Sequence, residues 1–177
     1  IGCGDGKDSL FFAQKGFKVT AVDFSQNAIN ILKKEIKSKN LKNITPVVCD
    51  IRKINYPPNS FDIIYANLSL HYFNDKTTNQ IFSNLYDMLN DGGCLFAKCK
   101  SIHDSLFDKV FDKAEIIEKD FFIIRGKKIR RFSADYLKSK LLTLKFGTTK
   151  IKETSSQLQT MERGVVKSHF VEAIAIK

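Results

Sequence analysis

The sequence predicts an α/β domain in which helices cover both faces of a doubly wound, mainly parallel sheet. Short apolar runs alternate with helical segments through the first half of the chain, as is typical of parallel strands joined by crossover helices. The run Phe61–Leu68 is nearly all apolar, which favours a strand buried on both faces. At 177 residues the length suits a single domain, and we expect 1–177 to form one.

In the first half, each element follows from a local pattern. Ser25 predicts a helix start, because its side chain can cap the first turn and apolar residues follow at helical spacing. Gly92 and Gly93 are expected to end the helix before them. The other expected elements are helices over Asp5–Lys15 and Thr77–Leu89, and strands over Phe17–Val22, Ile44–Cys49, Phe61–Leu68 and Cys94–Lys100.

The pattern is looser after Ser101. Phe121–Phe132 alternates apolar and basic residues around Gly126, which predicts an irregular hairpin or cap. Ser133 predicts the N-cap of a helix that stops at Gly147. The other expected elements are a short helix over Ile102–Val110 and closing strands over Thr149–Thr154 and Ser168–Ile176.

The composition limits the class of protein. No apolar run reaches the roughly 18 residues that a membrane helix needs, so no membrane partner is expected. The four cysteines form no C-x-x-C pair, so we expect no metal site, and unpaired thiols favour a cytoplasmic location. The net charge of +10 suits an anionic partner. Alternatively, the basic residues only form a solvated surface, and the scattered positions of the lysines favour this second interpretation.

The segment Ile1–Gly6 reads IGCGDG and joins a strand end to a helix start. Glycines there let the backbone approach a ligand closely, and the start of the helix offers unpaired N–H groups. A nicotinamide-binding turn would place its third glycine at the position of Lys7. The pattern therefore predicts a ligand-binding turn and weakens the alternative of an NAD-dependent oxidoreductase.

Polar residues end three successive strands of the predicted sheet. These are Asp23, Asp50 and the segment Asn67–His71. Open α/β sheets bind ligands at the carboxyl ends of their strands, so the three positions predict one site. A carboxylate at the position of Asp23 can accept hydrogen bonds from both hydroxyls of a ribose. Phe24 could lie against an adenine face, and Asp50 could accept a hydrogen bond from the adenine amine.

The residues Gly2–Gly6, Asp23, Asp50 and the turn Leu89–Gly93 resemble the successive motifs of class I S-adenosylmethionine-dependent methyltransferases. The resemblance covers essentially the whole chain. It implies a Rossmann-like, seven-stranded sheet in the order 3-2-1-4-5-7-6 with the last strand antiparallel, and S-adenosylmethionine as the cofactor. The cofactor contacts that we expect are Gly2, Gly4, Gly6, Asp23, Phe24, Asp50, Ile51 and Asn67.

Within this superfamily, Gly2–Ser25 is similar to small bacterial methyltransferases of the tellurite-resistance and thiopurine-like type, and Phe121–Phe132 resembles the tellurite group. That group carries a His-Arg pair before its last strand, where this chain has Gln159 and Thr160. The resemblance also implies that the strand leading into the glycine-rich turn is central in the sheet. Because the sequence begins at Ile1, we expect this first strand to be largely missing and the natural protein to extend upstream.

Candidate substrate residues lie at two places. His71, just beyond the fourth strand, is the candidate catalytic base, with a packed histidine as the alternative; Tyr72 beside it is expected to shape the substrate site. The superfamily builds its substrate lid in the insert after the fifth strand, here around 101–132. In that insert Arg130 and Arg131 are expected to hold acidic groups of the substrate, unless the basic cluster is only a solvated edge.

We therefore predict methyl transfer from S-adenosylmethionine to a small-molecule acceptor, for which an anionic molecule would suit the two arginines. An RNA methyltransferase, which the net charge of +10 would suit, is one alternative. A non-catalytic cofactor-binding or interaction domain of the same fold is another.

Overall fold

The computed structural model describes residues 1–104, 114–160 and 164–177, with the side chains of 158–160 and 164 left aside. The chain divides into two compact units, Ile1–Tyr56 and Pro57–Lys177. The α/β class expected from the sequence is confirmed. None of the described helices is long and apolar enough to cross a membrane. Most of the helix expected over Ile102–Val110, and part of the expected lid, lies outside the described residues.

The first unit is a two-stranded parallel sheet with two helices. Its elements are α1 (Lys7–Gln14), β1 (Val19–Asp23), α2 (Gln26–Ser38), β2 (Ile44–Val48) and a short 3₁₀ turn (Ile51–Lys53). Ser25 caps α2 as predicted, because its hydroxyl accepts a hydrogen bond from the Ala28 N–H at 3.2 Å. The strands pair in register from Val19 opposite Ile44 to Asp23 opposite Val48. Both helices bury apolar residues in one core with this sheet: Leu10, Ala13, Ala21, Ile29, Leu32 and Ile44.

The second unit holds the remaining elements. They are β3 (Phe61–Asn67), α3 (Asp75–Met88), β4 (Leu89–Lys100), β5 (Glu115–Glu118), β6 (Phe121–Ile124), β7 (Lys127–Arg130), α4 (Ala134–Thr143), β8 (Thr148–Thr160) and β9 (Gly164–Ile176). Four strands form a sheet in the order β3-β4-β9-β8, and β5-β6-β7 form a separate sheet. In the larger sheet β3 and β4 are parallel, while β9 is antiparallel to both of its neighbours.

Helices α3 and α4 contact the larger sheet, α3 at β4 and α4 at β8 and β9. Alternate residues of the two central strands are buried, as a half-covered pleated sheet requires. The fully or nearly fully buried residues are Leu95, Ala97 and Cys99 on β4, Val171, Ala173 and Ala175 on β9, Ile81, Phe82 and Leu85 on α3, and Leu137 and Leu141 on α4.

Several predicted boundaries are wrong, and two of them have a clear physical cause. Helix α3 begins earlier than expected, because the Asn74 side chain caps it by accepting a hydrogen bond from the Thr77 N–H at 2.9 Å. The glycines Gly92 and Gly93 do not end a helix but lie inside β4, which follows α3 without a loop. Gly93 is packed so closely that an added Cβ would lie 2.7 Å from the carbonyl oxygen of Asn90. The hairpin around Gly126 and the cap at Ser133 agree with the prediction.

Gly6 gives a direct test of how α1 and α2 pack together. It has a φ of +90°, and an added Cβ would overlap the Leu32 side chain, reaching 2.9 Å from its Cγ. Leu32 is fully buried, so it has little room to move. We expect Gly6→Ala to lower the free energy of unfolding by about 2–4 kcal/mol through overpacking and left-handed strain.

Gly16→Ala is the matched control, because Gly16 has a φ of +88° and an added Cβ there would meet no heavy atom within 4 Å. It should lose only the backbone cost of about 1 kcal/mol. Denaturant unfolding of both variants measures the difference. Equal losses would show that Leu32 adapts to the added methyl group.

Candidate functional site

The glycine-rich turn lies beside the end of β1. The Cys3 N–H donates to the Val22 carbonyl at 2.9 Å, and the Gly6 N–H donates to the Cys3 carbonyl at 3.0 Å. The first bond fixes the turn against the strand, and the second closes the turn that leads into α1. The Cys3 thiol is a poor nucleophile, because burial and the Asp23 carboxylate raise its pKa to about 11.

Asp23 joins this turn to the start of α2. One oxygen of its carboxylate accepts a hydrogen bond from the Gly4 N–H at 2.8 Å, and the other accepts one from the Ser25 N–H at 2.9 Å. The residue is only 8% exposed. A carboxylate has about four lone-pair sites, so these two bonds leave acceptor capacity. The structure thus brings together Gly4 and Asp23, two of the predicted cofactor residues.

The surroundings of this pair fit a ligand that carries hydroxyl groups and an aromatic ring. An added Cβ at Gly4 would meet no heavy atom within 4 Å, so the backbone faces open space. Phe24, next to Asp23, is 79% exposed. Spare acceptor capacity, an open backbone and an exposed ring are what the predicted S-adenosylmethionine site needs on this unit.

Asp50 forms contacts that the sequence did not predict. Its carboxylate caps the 3₁₀ turn by accepting a hydrogen bond from the Arg52 N–H at 2.9 Å. Both of its oxygens also bind the Arg52 guanidinium, and the hydrogen bonds from Arg52 hold the pKa of Asp50 below its usual value. Arg52 was missed from the sequence, although its spacing from Asp50 suits such a cap. The adenine contact of Asp50, like that of half-buried Ile51, stays a prediction.

In the second unit the chain turns sharply after β3. Leu68 has a φ of +56°, a left-handed conformation that costs a leucine of order 1 kcal/mol or more. Its N–H donates to the Lys98 carbonyl at 2.8 Å, which fixes the turn against β4. We refer to residues 68–74, between β3 and α3, as the His71 loop.

His71 is buried, with 5% of its surface exposed. Among the described residues, neither its Nδ1 nor the hydroxyl of nearby Ser69 has a hydrogen-bond partner. Buried polar atoms are rarely left in this state, so the pair is suited to bind a ligand. Burial, and next the Lys100 ammonium, lower the pKa of His71 to about 4, while Asp104 acts in the opposite direction. The imidazole is therefore neutral at pH 7.

A buried polar group lies at the end of β4. Lys100 donates to the Ser168 hydroxyl at 2.7 Å and forms an ion pair with Asp104 at 2.9 Å. Ser168 in turn donates to Asp104 at 3.0 Å. Asp104 and Ser168 are fully buried, so each polar group offsets the desolvation of the others. Only the i,i+4 spacing of Lys100 and Asp104 could have indicated this group from the sequence.

The predicted substrate residues have different environments. Tyr72 is half exposed and its ring lies 4.3 Å from that of His71. Arg130 is only 2% exposed and donates to the Phe73 carbonyl at 2.9 Å. Arg131 is buried too, and donates to the Ser101 carbonyl at 3.3 Å. The two arginines are thus not a solvated edge, and their predicted contact with substrate stays a prediction.

Comparison with known proteins gives the family. Residues 1–93 match the family model described as "Methyltransferase domain". The probable S-adenosyl-L-methionine-dependent methyltransferase TehB of Haemophilus influenzae is 32% identical over 93 residues, which are 52% of this chain and 32% of TehB. The chain thus matches about a third of that relative's length. The predicted similarity to the tellurite-resistance type is confirmed.

Solved structures agree on the fold. A SAM-dependent methyltransferase from Methanosarcina mazei has a TM-score of 0.81 at 24% identity, covering 100% of this chain and 90% of that one. Phosphoethanolamine N-methyltransferase 2 of Haemonchus contortus, in complex with S-adenosyl-L-methionine, has a TM-score of 0.76 at 18% identity, covering 100% of this chain and 47% of that one. Because the family model spans more than half of its residues, the chain belongs to the methyltransferase domain family, with the Rossmann-like fold of S-adenosylmethionine-dependent methyltransferases.

Proposed function

We propose that this protein transfers a methyl group from S-adenosylmethionine to a small-molecule acceptor. The observation that carries the proposal is the hydrogen bond from the Gly4 N–H to the Asp23 carboxylate, at a point where the backbone faces open space, in a chain of this family. The pairing holds an acceptor of hydroxyl hydrogen bonds next to the glycine-rich turn. S-adenosylmethionine would supply a methyl group already activated by its sulfonium, so the protein mainly has to align the acceptor and exclude water.

In this proposal the cofactor contacts are the residues expected from the sequence. Asp23 accepts hydrogen bonds from the ribose hydroxyls, and the exposed ring of Phe24 lies against the adenine. Gly2, Gly4 and Gly6 line the rest of the turn, and Asp50, Ile51 and Asn67 supply the remaining contacts. Since the Asp50 carboxylate is already held by Arg52, we expect it to contribute less than Asp23.

His71 acts on the acceptor. As a neutral imidazole whose Nδ1 has no hydrogen-bond partner within the described part of the chain, it can accept a hydrogen bond from an amine or hydroxyl and orient it for attack. Its low pKa makes it a weak base, which suits an acceptor that loses its proton only once the new bond has formed. Phosphoethanolamine N-methyltransferase 2 holds phosphomonomethylethanolamine, an anionic amine. With an acceptor of that kind, Tyr72 would shape the pocket around it and Arg131 would bind its acidic group.

The proposal also includes the complete strand order 3-2-1-4-5-7-6. The neighbours within each sheet support it, since β1 pairs with β2 and the larger sheet runs β3-β4-β9-β8. In the family numbering, β2 and β1 correspond to strands 3 and 2, and β3, β4, β9 and β8 correspond to strands 4, 5, 7 and 6. A cytoplasmic location stays a prediction from the four free cysteines.

Two measurements test the function. Isothermal titration with S-adenosylmethionine, and with NADH as the comparison, should give binding of the first only. Mass spectrometry of a metabolite mixture incubated with the protein and methyl-labelled S-adenosylmethionine should then show a labelled small molecule. Binding without any labelled product would favour a non-catalytic domain, and label in added RNA, with a steep salt dependence, would favour the RNA alternative.

Asp23→Ala should weaken S-adenosylmethionine binding by about 1.5–3 kcal/mol, the usual loss for hydrogen bonds to a charged group. Asp5→Ala removes an exposed carboxylate from the same turn and should change affinity little. Titration calorimetry on both variants, after confirming that each unfolds cooperatively, measures the difference. An unchanged affinity for Asp23→Ala would remove Asp23 from the site.

Gly4→Val should abolish S-adenosylmethionine binding, because its side chain would fill the open space beside the turn. Gly16→Val carries a similar backbone strain at the far end of α1, also in open space. We expect this control to lose stability but retain affinity. If the two variants bind equally well, the turn is not the binding loop.

The buried His71 should make the protein less stable in mild acid. Its pKa in the folded state is about 4, against about 6.5 when unfolded, so the unfolded chain takes up a proton first. Stability is therefore complete above pH 6.5 and falls, by about 3 kcal/mol at most, as the pH drops to 4. Denaturant unfolding across this range should show a weaker pH dependence for His71→Asn. An equally steep dependence would mean that other groups cause it.

A further inference from the structure

We propose that Arg130 is a positioning residue that holds the His71 loop in its buried conformation, and so holds the imidazole where the acceptor binds. This inference rests on the proposed function for the role of His71, but the placement of the loop can be tested without any methyl transfer. Arg130 would act through the loop backbone, because its hydrogen bonds to the loop reach the carbonyls of His71 and Phe73.

Two hydrogen bonds join Arg130 directly to the loop, and a third links it through Glu118 to the residue after the loop. Its backbone N–H donates to the His71 carbonyl at 2.8 Å, and its side-chain Nε donates to the Phe73 carbonyl at 2.9 Å. Its Nη2 binds the Glu118 carboxylate, which also accepts a hydrogen bond from the Asp75 N–H at 2.6 Å. The Arg130 backbone thus holds the loop at His71, and its guanidinium holds it at Phe73 and, through Glu118, at the first turn of α3.

Arg130 is itself firmly held. Its guanidinium carbon lies 5.1 Å from the ring centres of both Phe121 and Tyr136, a distance at which cation–π attraction operates. Its Nη1 also reaches the Lys119 carbonyl at 3.4 Å. A guanidinium offers five N–H donors in a planar fork, and this geometry suits several acceptors at fixed positions. We call Arg130, Glu118, Phe121 and Tyr136 the arginine cluster.

The Tyr136 hydroxyl fixes the position of its ring in this cluster. It donates to the Asp75 side chain at 2.7 Å, and Lys140 donates to the same oxygen at 2.6 Å. Burial would raise the pKa of Asp75, but the bonds from Lys140 and Tyr136 outweigh it and the pKa is lowered. The charged carboxylate therefore ties α4 to the start of α3, and removing the Tyr136 hydroxyl leaves the bonds from Arg130 to the His71 and Phe73 carbonyls in place.

The test follows the titration of His71 by NMR of the histidine ring protons. The chain has three histidines, and the His71 signal is assigned by its loss in His71→Asn. In the unchanged protein it should titrate near pH 4, held down by burial and Lys100 and opposed by Asp104. In Arg130→Gln the loop should open to water, and the titration should move upward by at least one pH unit toward the ordinary value of about 6.5.

Companion variants separate positioning from general stability. Arg130→Lys keeps a buried cation between the two rings but loses the fork, so its titration should lie between those of the unchanged protein and Arg130→Gln. Tyr136→Phe keeps the ring on Arg130 and removes the hydrogen bonds of its hydroxyl to Asp75 and Thr78. It should lower the unfolding midpoint and leave His71 near pH 4. If Arg130→Gln does not fold, the comparison of Arg130→Lys with Tyr136→Phe decides the question.

A His71 titration that stays near pH 4 in the folded arginine variants would overturn the inference, whatever their loss of stability. Failure of the proposed function gives a different result, since the unchanged protein would then neither bind S-adenosylmethionine nor yield a methylated product, and the titrations could still move as expected.

Discussion

The carboxylate of Asp23 lies at the point on which the first unit's candidate site depends. It accepts backbone N–H groups from Gly4 on one side and Ser25 on the other, so one side chain fixes both the glycine-rich turn and the entry to α2. Backbone donors that are buried without a partner are costly, and here the same carboxylate removes that cost and retains lone pairs for a ligand. A residue that holds a turn and also binds a cofactor, as we propose for Asp23, is easily mistaken for a purely structural one.

In the second unit, the His71 loop is held in place by different contacts. No glycine-rich turn shapes the His71 loop; instead Leu68 takes a left-handed conformation and the loop is fixed from outside by Arg130. Strained backbone of this kind persists only where the surrounding structure determines it. The loop carries two buried polar atoms, Ser69 Oγ and His71 Nδ1, that have no hydrogen-bond partner among the described residues. These are the atoms that the proposed acceptor would contact.

The sequence predicted the elements of the fold well because periodicity and capping are local. Ser25 and Ser133 cap helices where expected, and the hairpin around Gly126 forms. Gly92 and Gly93 misled the prediction, since glycine ends a helix in one context and permits close packing inside a strand in another. Family resemblance located the turn and Asp23. Contacts between distant residues, such as Arg130 with Phe73, have no local pattern, so the burial of the arginine could not be predicted.

The contact between Gly6 and Leu32 has a consequence for how sequences of this kind can diverge. Because the leucine occupies the space that a Cβ at position 6 would take, the sizes of these two residues are linked across the interface of α1 and α2. A larger residue at position 6 would be tolerated only beside a smaller one at position 32 and a backbone that relaxes its left-handed turn. Two changes would then have to accumulate together, so the third glycine of the turn should be slow to change even in descendants that have lost the cofactor.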